Sequence, residues 1–170
     1  MTAAHCIEKG DKGINFKMPG EFQIVTGEHD WKVNSTHESW HNIKNIVVHS
    51  KYDGHAPRYD YDYAIIEVIE PIKLTGHSKA RAACLPDQTK DINFPHGTEF
   101  VVSGWGRLKY KGWTPAKLHH VTVHAISDAK CKTKQKYKTY FSERMHCAGN
   151  LQNGGFGTCN GDSGGKVQRI

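Results

Sequence analysis

The chain has 170 residues, 37% of them hydrophobic, and a formal net charge of +6. No apolar run approaches the roughly 18 residues of a membrane-spanning helix, which excludes one, and the composition is close to that of globular proteins, which argues against global disorder. The length is ample for a small core but short for a two-barrel protein, since all-β barrels and sandwiches commonly run to roughly 200–250 residues. The opening Met1-Thr-Ala-Ala-His-Cys6 has neither a charged nor an apolar region of the signal-peptide kind. Strand-like runs then follow in chain order. Residues 22–25 end at Gly27, and residues 43–49 carry Ile43, Ile46, Val47 and Val48. Residues 63–69 stop before Pro71, and residues 100–103 run into Gly104-Trp105-Gly106. Residues 119–126 alternate, with Val121, Val123 and Ala125 on one face. β-branched runs bounded by Gly, Pro, Asn and Asp read as strands. Many short strands with long irregular connections make an all-β barrel or sandwich.

One segment, 127–138, reads as a helix with Ser127 or Asp128 as its N-cap. Its lysines at 130, 132, 134, 136 and 138 spread around the helix instead of forming a stripe, so they read as a solvated surface. The sharper alternative is a patch for a heparin-like polyanion. His119, His120 and His124 read as solvated strand histidines and not as a zinc site, because the adjacent pair points to opposite faces. Asn34-Ser35-Thr36 is a glycosylation sequon. The five cysteines, at 6, 84, 131, 147 and 159, are an odd count without a CxxC pair. Such a count implies a free thiol, an intermolecular bridge or a missing partner.

The strongest chemical signal is Gly161-Asp-Ser-Gly-Gly165. A serine hydroxyl is a weak nucleophile until a base takes its proton. The oxyanion formed by its attack on a carbonyl needs preorganised donors. Glycines beside the serine let backbone N–H groups approach the substrate closely. Upstream, His5 stands beside Cys6, and Asp62 stands at the mouth of an apolar strand, where it could orient an imidazole and stabilise the imidazolium. The order His, Asp, Ser is one of the known chain orders for such a triad.

Thr2-Ala-Ala-His-Cys6, Asp62-Tyr-Ala-Ile-Ile66, Cys84-Leu-Pro86, Ser103-Gly-Trp-Gly106, Met145-His-Cys-Ala-Gly149 and Gly161-Asp-Ser-Gly-Gly165 span nearly the whole chain. With them the sequence resembles the chymotrypsin/trypsin-like serine endopeptidases. The resemblance implies two antiparallel Greek-key β-barrels, with residues 1–90 giving most of the first and 91–170 part of the second. It implies Ser163 as nucleophile, His5 as general base and acid, and Asp62 as the residue holding His5. Asp60 is then a nearby decoy. The N–H groups of Gly161 and Ser163 would form the oxyanion hole, and Asp162 would pair with an amine released by zymogen cleavage. Gly157, Thr158 and Asn160 would shape the specificity pocket. Glycine at 157, in place of an acid, implies preference for apolar side chains, since a basic one gains no charge pair.

The resemblance also pairs Cys131 with Cys147. It leaves Cys6, Cys84 and Cys159 with partners off the ends of the chain, and puts Phe100 where one cysteine of a further pair is usual. After Gly165 the family continues with Pro and an apolar strand, whereas here the chain reads Lys166-Val-Gln-Arg-Ile170. The expectation is an incomplete peptidase domain, a fragment at both ends and without activity by itself. No metal, cofactor or nucleic acid is implied. Protein or peptide substrates, serpin-type or substrate-like protease inhibitors and an extracellular location are. The intact His5, Asp62 and Ser163 argue against the alternative of a non-catalytic homologue that serves as a binding module.

Overall fold

β-Branched and aromatic residues at alternating positions build two antiparallel sheets. The computed structural model describes residues 1–9, 15–54, 59–74, 80–85, 94–133, 141–149 and 157–170. Strands β1 (Gln23–Thr26), β2 (Ser39–Val48) and β3 (Ala64–Val68) form a sheet in the order β1-β2-β3. Strands β4 (Glu99–Gly104), β5 (His119–Ile126), β6 (Cys147–Gly149) and β7 (Val167–Arg169) form a second in the order β6-β5-β4-β7. A 3-10 turn at Ala4–Ile7 and a short helix α1 (Asp128–Thr133) complete the described elements. The chain is all-β, with one minor helix, as its strand pattern predicts.

The second sheet carries the clearest core. On β5, Val123 and Ala125 are buried while His120, Thr122 and His124 are exposed. In an antiparallel pair, residues directly opposite share a face. Phe100 stands opposite Val123 and Val102 opposite Val121, so their side chains converge. Phe94 closes this cluster and meets Phe100 edge-on at 4.9 Å. His124 Nε2 lies 3.4 Å from Glu99 Oε1, its opposite number on the solvent face.

In the first sheet a bulge at Lys44 shifts the register of β2 against β3 between Ile43 and Asn45. A bulge re-aims the side chains on either side of it. Ile43 and Ala64 end up buried, and Lys44 Nζ pairs with Glu67 Oε1 at 2.7 Å on the outside. The two sheets meet at Asp30 and Lys117, which form a β-bridge flanked by Leu118 N–H to His29 O (2.7 Å) and Trp31 N–H to Ala116 O (3.2 Å).

The described residues cover only the first part of the expected helix. The Ser127 carbonyl accepts the Cys131 N–H at 2.9 Å, which places Ser127 at the N-cap, and α1 is described over Asp128–Thr133. Lys134, Lys136 and Lys138 lie outside the described residues. Cys131 faces inward and is bridged to Cys147, tying α1 to β6 across a Cα–Cα distance of 6.2 Å. Among the described residues Cys6, Cys84 and Cys159 are free thiols. Residues 167–169 pair with Val102, Val101 and Phe100 of β4 despite their divergence from the family pattern.

Candidate active site

His5 reaches its position through backbone bonding that the motif alone does not announce. Thr2 and Ala64 exchange two hydrogen bonds, Thr2 N–H to Ala64 O at 2.9 Å and Ala64 N–H to Thr2 O at 2.8 Å. This bridge fastens the N-terminal segment beside the start of β3. The 3-10 turn that follows Thr2 then brings His5 back over Asp62, which precedes Ala64. Asp62 receives both groups His5 can offer. Its Oδ1 accepts the His5 backbone N–H at 2.9 Å, and its Oδ2 lies 2.6 Å from His5 Nδ1. The Asp62 side chain is only 17% exposed, and an ionised carboxylate only accepts. Nδ1 therefore carries the proton, and Nε2 keeps its lone pair for another partner. The ring of Tyr59 stands 5.6 Å from that of His5.

The turn that carries Ser163 is fixed from two sides. On one side, a Cβ added at Gly164 (φ +75°) would come within 2.3 Å of Thr2 Oγ1 and 2.9 Å of Ala3 N. The turn thus lies directly against the segment that leads to His5, and only glycine fits there. On the other side, Asp162 turns inward. Its Oδ1 accepts the Gly106 N–H at 2.8 Å and its Oδ2 the Cys159 N–H at 2.9 Å. Gly104 and Gly106 make room for this carboxylate, since a Cβ at either would lie 2.1–2.3 Å from an Asp162 side-chain atom. These two glycines are functional positions the sequence reading did not assign. The signal was Ser103-Gly-Trp-Gly106 itself, a strand end with no side chain where the carboxylate sits.

Cys6 joins the two halves of the site. Its Sγ lies 3.8 Å from His5 Nε2 and 3.4 Å from the Ser163 carbonyl oxygen, to which it donates. Burial pushes the Cys6 thiol pKa up, and the nearby Asp62 charge adds to this, so the sulfur stays protonated. Ser163 is exposed, and among the described residues no hydrogen bond joins its Oγ to His5. Nucleophile–base hydrogen bonds are often loose without substrate and tighten when it binds. Gly157, Thr158 and Asn160 are exposed on the same segment, and among the described residues Gly157 has no atom within 4 Å of where a Cβ would stand. The Asn160 carbonyl accepts the Arg107 N–H at 3.0 Å. Asn34 is exposed on the turn between β1 and β2.

The trypsin family model matches residues 1–168. The chain belongs to the trypsin family. That family is one of serine endopeptidases. It is 33% identical to transmembrane protease serine 11C of Mus musculus over 98% of this chain and 35% of that protein. It is 31% identical to coagulation factor IX of Cavia porcellus over 97% of this chain and 53% of that protein. The chain thus spans about a third to a half of these relatives. Among the described residues no helix is long and apolar enough to cross a membrane.

Proposed function

We propose that His5, Asp62 and Ser163 act as a catalytic triad that hydrolyses peptide bonds through an acyl-enzyme. The observation that carries this reading is the Asp62 carboxylate held on both the backbone and Nδ1 of His5. It leaves Nε2 as the free base on the side of the Ser163 turn. His5 takes the Ser163 proton as Oγ attacks the carbonyl carbon, then returns it to the leaving amine. The N–H groups of Gly161 and Ser163 receive the developing oxyanion. Asp162 holds this loop in shape through Gly106 and Cys159. With Gly157 in the specificity segment, the cleaved bond follows an apolar side chain. With the domain boundary drawn at residues 90 and 91, which lie outside the described residues, His5 and Asp62 belong to one barrel and Ser163 to the other. Extracellular residence is supported by the Cys131–Cys147 bridge, since disulfides persist in oxidising compartments.

The test is fluorophosphonate labelling of the full-length protein with the modified residue mapped by mass spectrometry. It is paired with hydrolysis of peptides bearing apolar, acidic or basic residues before the scissile bond. Labelling at Ser163, and loss of both signals in Ser163→Ala, is expected. Hydrolysis that survives Ser163→Ala refutes the assignment, and a strict demand for Arg or Lys refutes the specificity.

A further inference from the structure

Asp60, two residues before Asp62, faces away from His5 and toward the second sheet. Its carboxylate binds the guanidinium of Arg144, which lies 84 positions later on the segment leading into β6. The contact is two-pronged, with Arg144 Nε donating to Oδ1 at 3.1 Å and Nη2 to Oδ2 at 2.5 Å. Ser142 Oγ donates to the same Oδ1 at 3.2 Å, and so does the Tyr61 N–H at 3.0 Å. The guanidinium also sits 4.4 Å from the centre of the Tyr61 ring. Tyr61 in turn stacks flat on His49 at 4.6 Å. One side-chain column therefore runs from the end of β2, through the loop that holds Asp62, to the second sheet.

The backbone of that loop gives the column a task. Tyr59 and Tyr61 have φ of +37° and +54°, a region that non-glycine residues adopt only at a cost of about 1–3 kcal/mol each. Such residues persist where their surroundings over-determine them. Here they flank Asp60, and the next residue is Asp62. The Arg144 and Asp60 side chains are 41% and 28% exposed, so solvent screening keeps the pair's contribution to global stability modest. A two-pronged arginine–carboxylate contact nevertheless fixes geometry as well as charge. Strong hydrogen bonding from Arg144 holds the Asp60 carboxyl down, with a pKa of about 2, so the pair is charged across the neutral range.

We propose that the Asp60–Arg144 pair is an inter-sheet clamp that positions Asp62 against His5. The proposal rests on the triad reading above, and it makes Asp60 and Arg144 positioning residues, not catalytic ones. The test uses the full-length protein with Asp60→Asn, Arg144→Gln, the double variant and Arg144→Lys. Two readouts are taken, kcat and KM per fluorophosphonate-titrated site, and the titration midpoint of the His5 imidazole by NMR. Asp62 favours the imidazolium, so loosening it lowers the His5 midpoint. Through-space charge predicts opposite signs for the two single variants. Loss of the Asp60 charge lowers the midpoint, and loss of the Arg144 charge raises it. Positioning predicts a lower midpoint in both. It also predicts a fall in kcat of about 10- to 100-fold, the size expected from misplacing a catalytic group, with KM nearly unchanged. The double variant should be no worse than either single one, as for residues acting as one unit, and Arg144→Lys should restore part of the loss. Midpoints moving in opposite directions overturn the clamp, as does unchanged kcat per titrated site with only a lower melting temperature. If the wild-type protein neither labels nor hydrolyses, the triad reading fails. The His5 midpoint still decides the clamp in that case, since it needs no turnover.

Discussion

At Asp62 both carboxylate oxygens accept from a single residue, one from the His5 backbone and one from its ring. Asparagine there has only one acceptor oxygen. If that oxygen keeps the backbone N–H, its amide nitrogen faces Nδ1 and selects the wrong tautomer of His5. In Asp62→Asn we expect kcat to fall about 10⁴-fold with the fold intact. Stopped-assay peptide hydrolysis, together with an unchanged circular dichroism melt, checks this. The candidate residues of the site were legible in the sequence because each stands in a short local motif that suits the task proposed for it. A hydroxyl between glycines, a histidine before a cysteine and an acid before an apolar strand all announce themselves within a few residues. The clamp was not legible. Asp60 looked like a duplicate of Asp62, and Arg144 is one of 23 basic residues with no local pattern. Only the chain's return over 84 positions puts them in contact.

Among the elements, the strands read from sequence were those with alternating β-branched residues. Residues 119–126 are recovered as β5, and β4 extends the expected 100–103 by one residue at each end. Strands β6 and β7 were not expected, for a physical reason. Each is three residues long, and neither Cys147-Ala-Gly149 nor Val167-Gln-Arg169 has a periodicity that a short window can detect. They are strands because β5 and β4 offer them paired edges. The core that supports those edges centres on Phe100, 7% exposed and packed edge-on against Phe94. Phe100→Ala should cost about 3–5 kcal/mol, the range for an aromatic removed from a core. Thr122→Ala, on the solvent face of β5, should stay within about 0.5 kcal/mol. Urea denaturation of both variants measures the difference, and equal costs would contradict the inward orientation of this face.

For the molecule as a whole, the described joins between the two sheets are few and mostly polar. They include the backbone pairing around Asp30 and Lys117, the Cys6 thiol on the Ser163 carbonyl, the fit of Gly164 against Thr2, and the Asp60–Arg144 pair. The last of these makes stability depend on acid. The Asp60 carboxyl falls from an ordinary value of 3.8 to about 2 because Arg144 hydrogen-bonds its charged form. Glu21 is lowered in the same direction, first by Lys9, whose Nζ lies 2.7 Å from Oε1. A carboxyl that binds protons more weakly when folded favours the folded state wherever the unfolded chain has begun to ionise. The contribution of Asp60 is therefore complete above the unfolded value, near pH 4, and is lost as pH falls toward 2. Arg144 remains protonated across this range and adds no slope of its own. Thermal unfolding followed from pH 5 to pH 2 should show the melting temperature dropping through this window. Asp60→Asn should start lower at pH 5 and show a shallower drop, so that the two curves converge near pH 2. Arg144→Gln should flatten the same window, because the Asp60 pKa returns toward its ordinary value. Parallel curves at every pH would mean that the pair is not formed in the folded protein. They would remove the polar join between the loop that carries Asp62 and the second sheet.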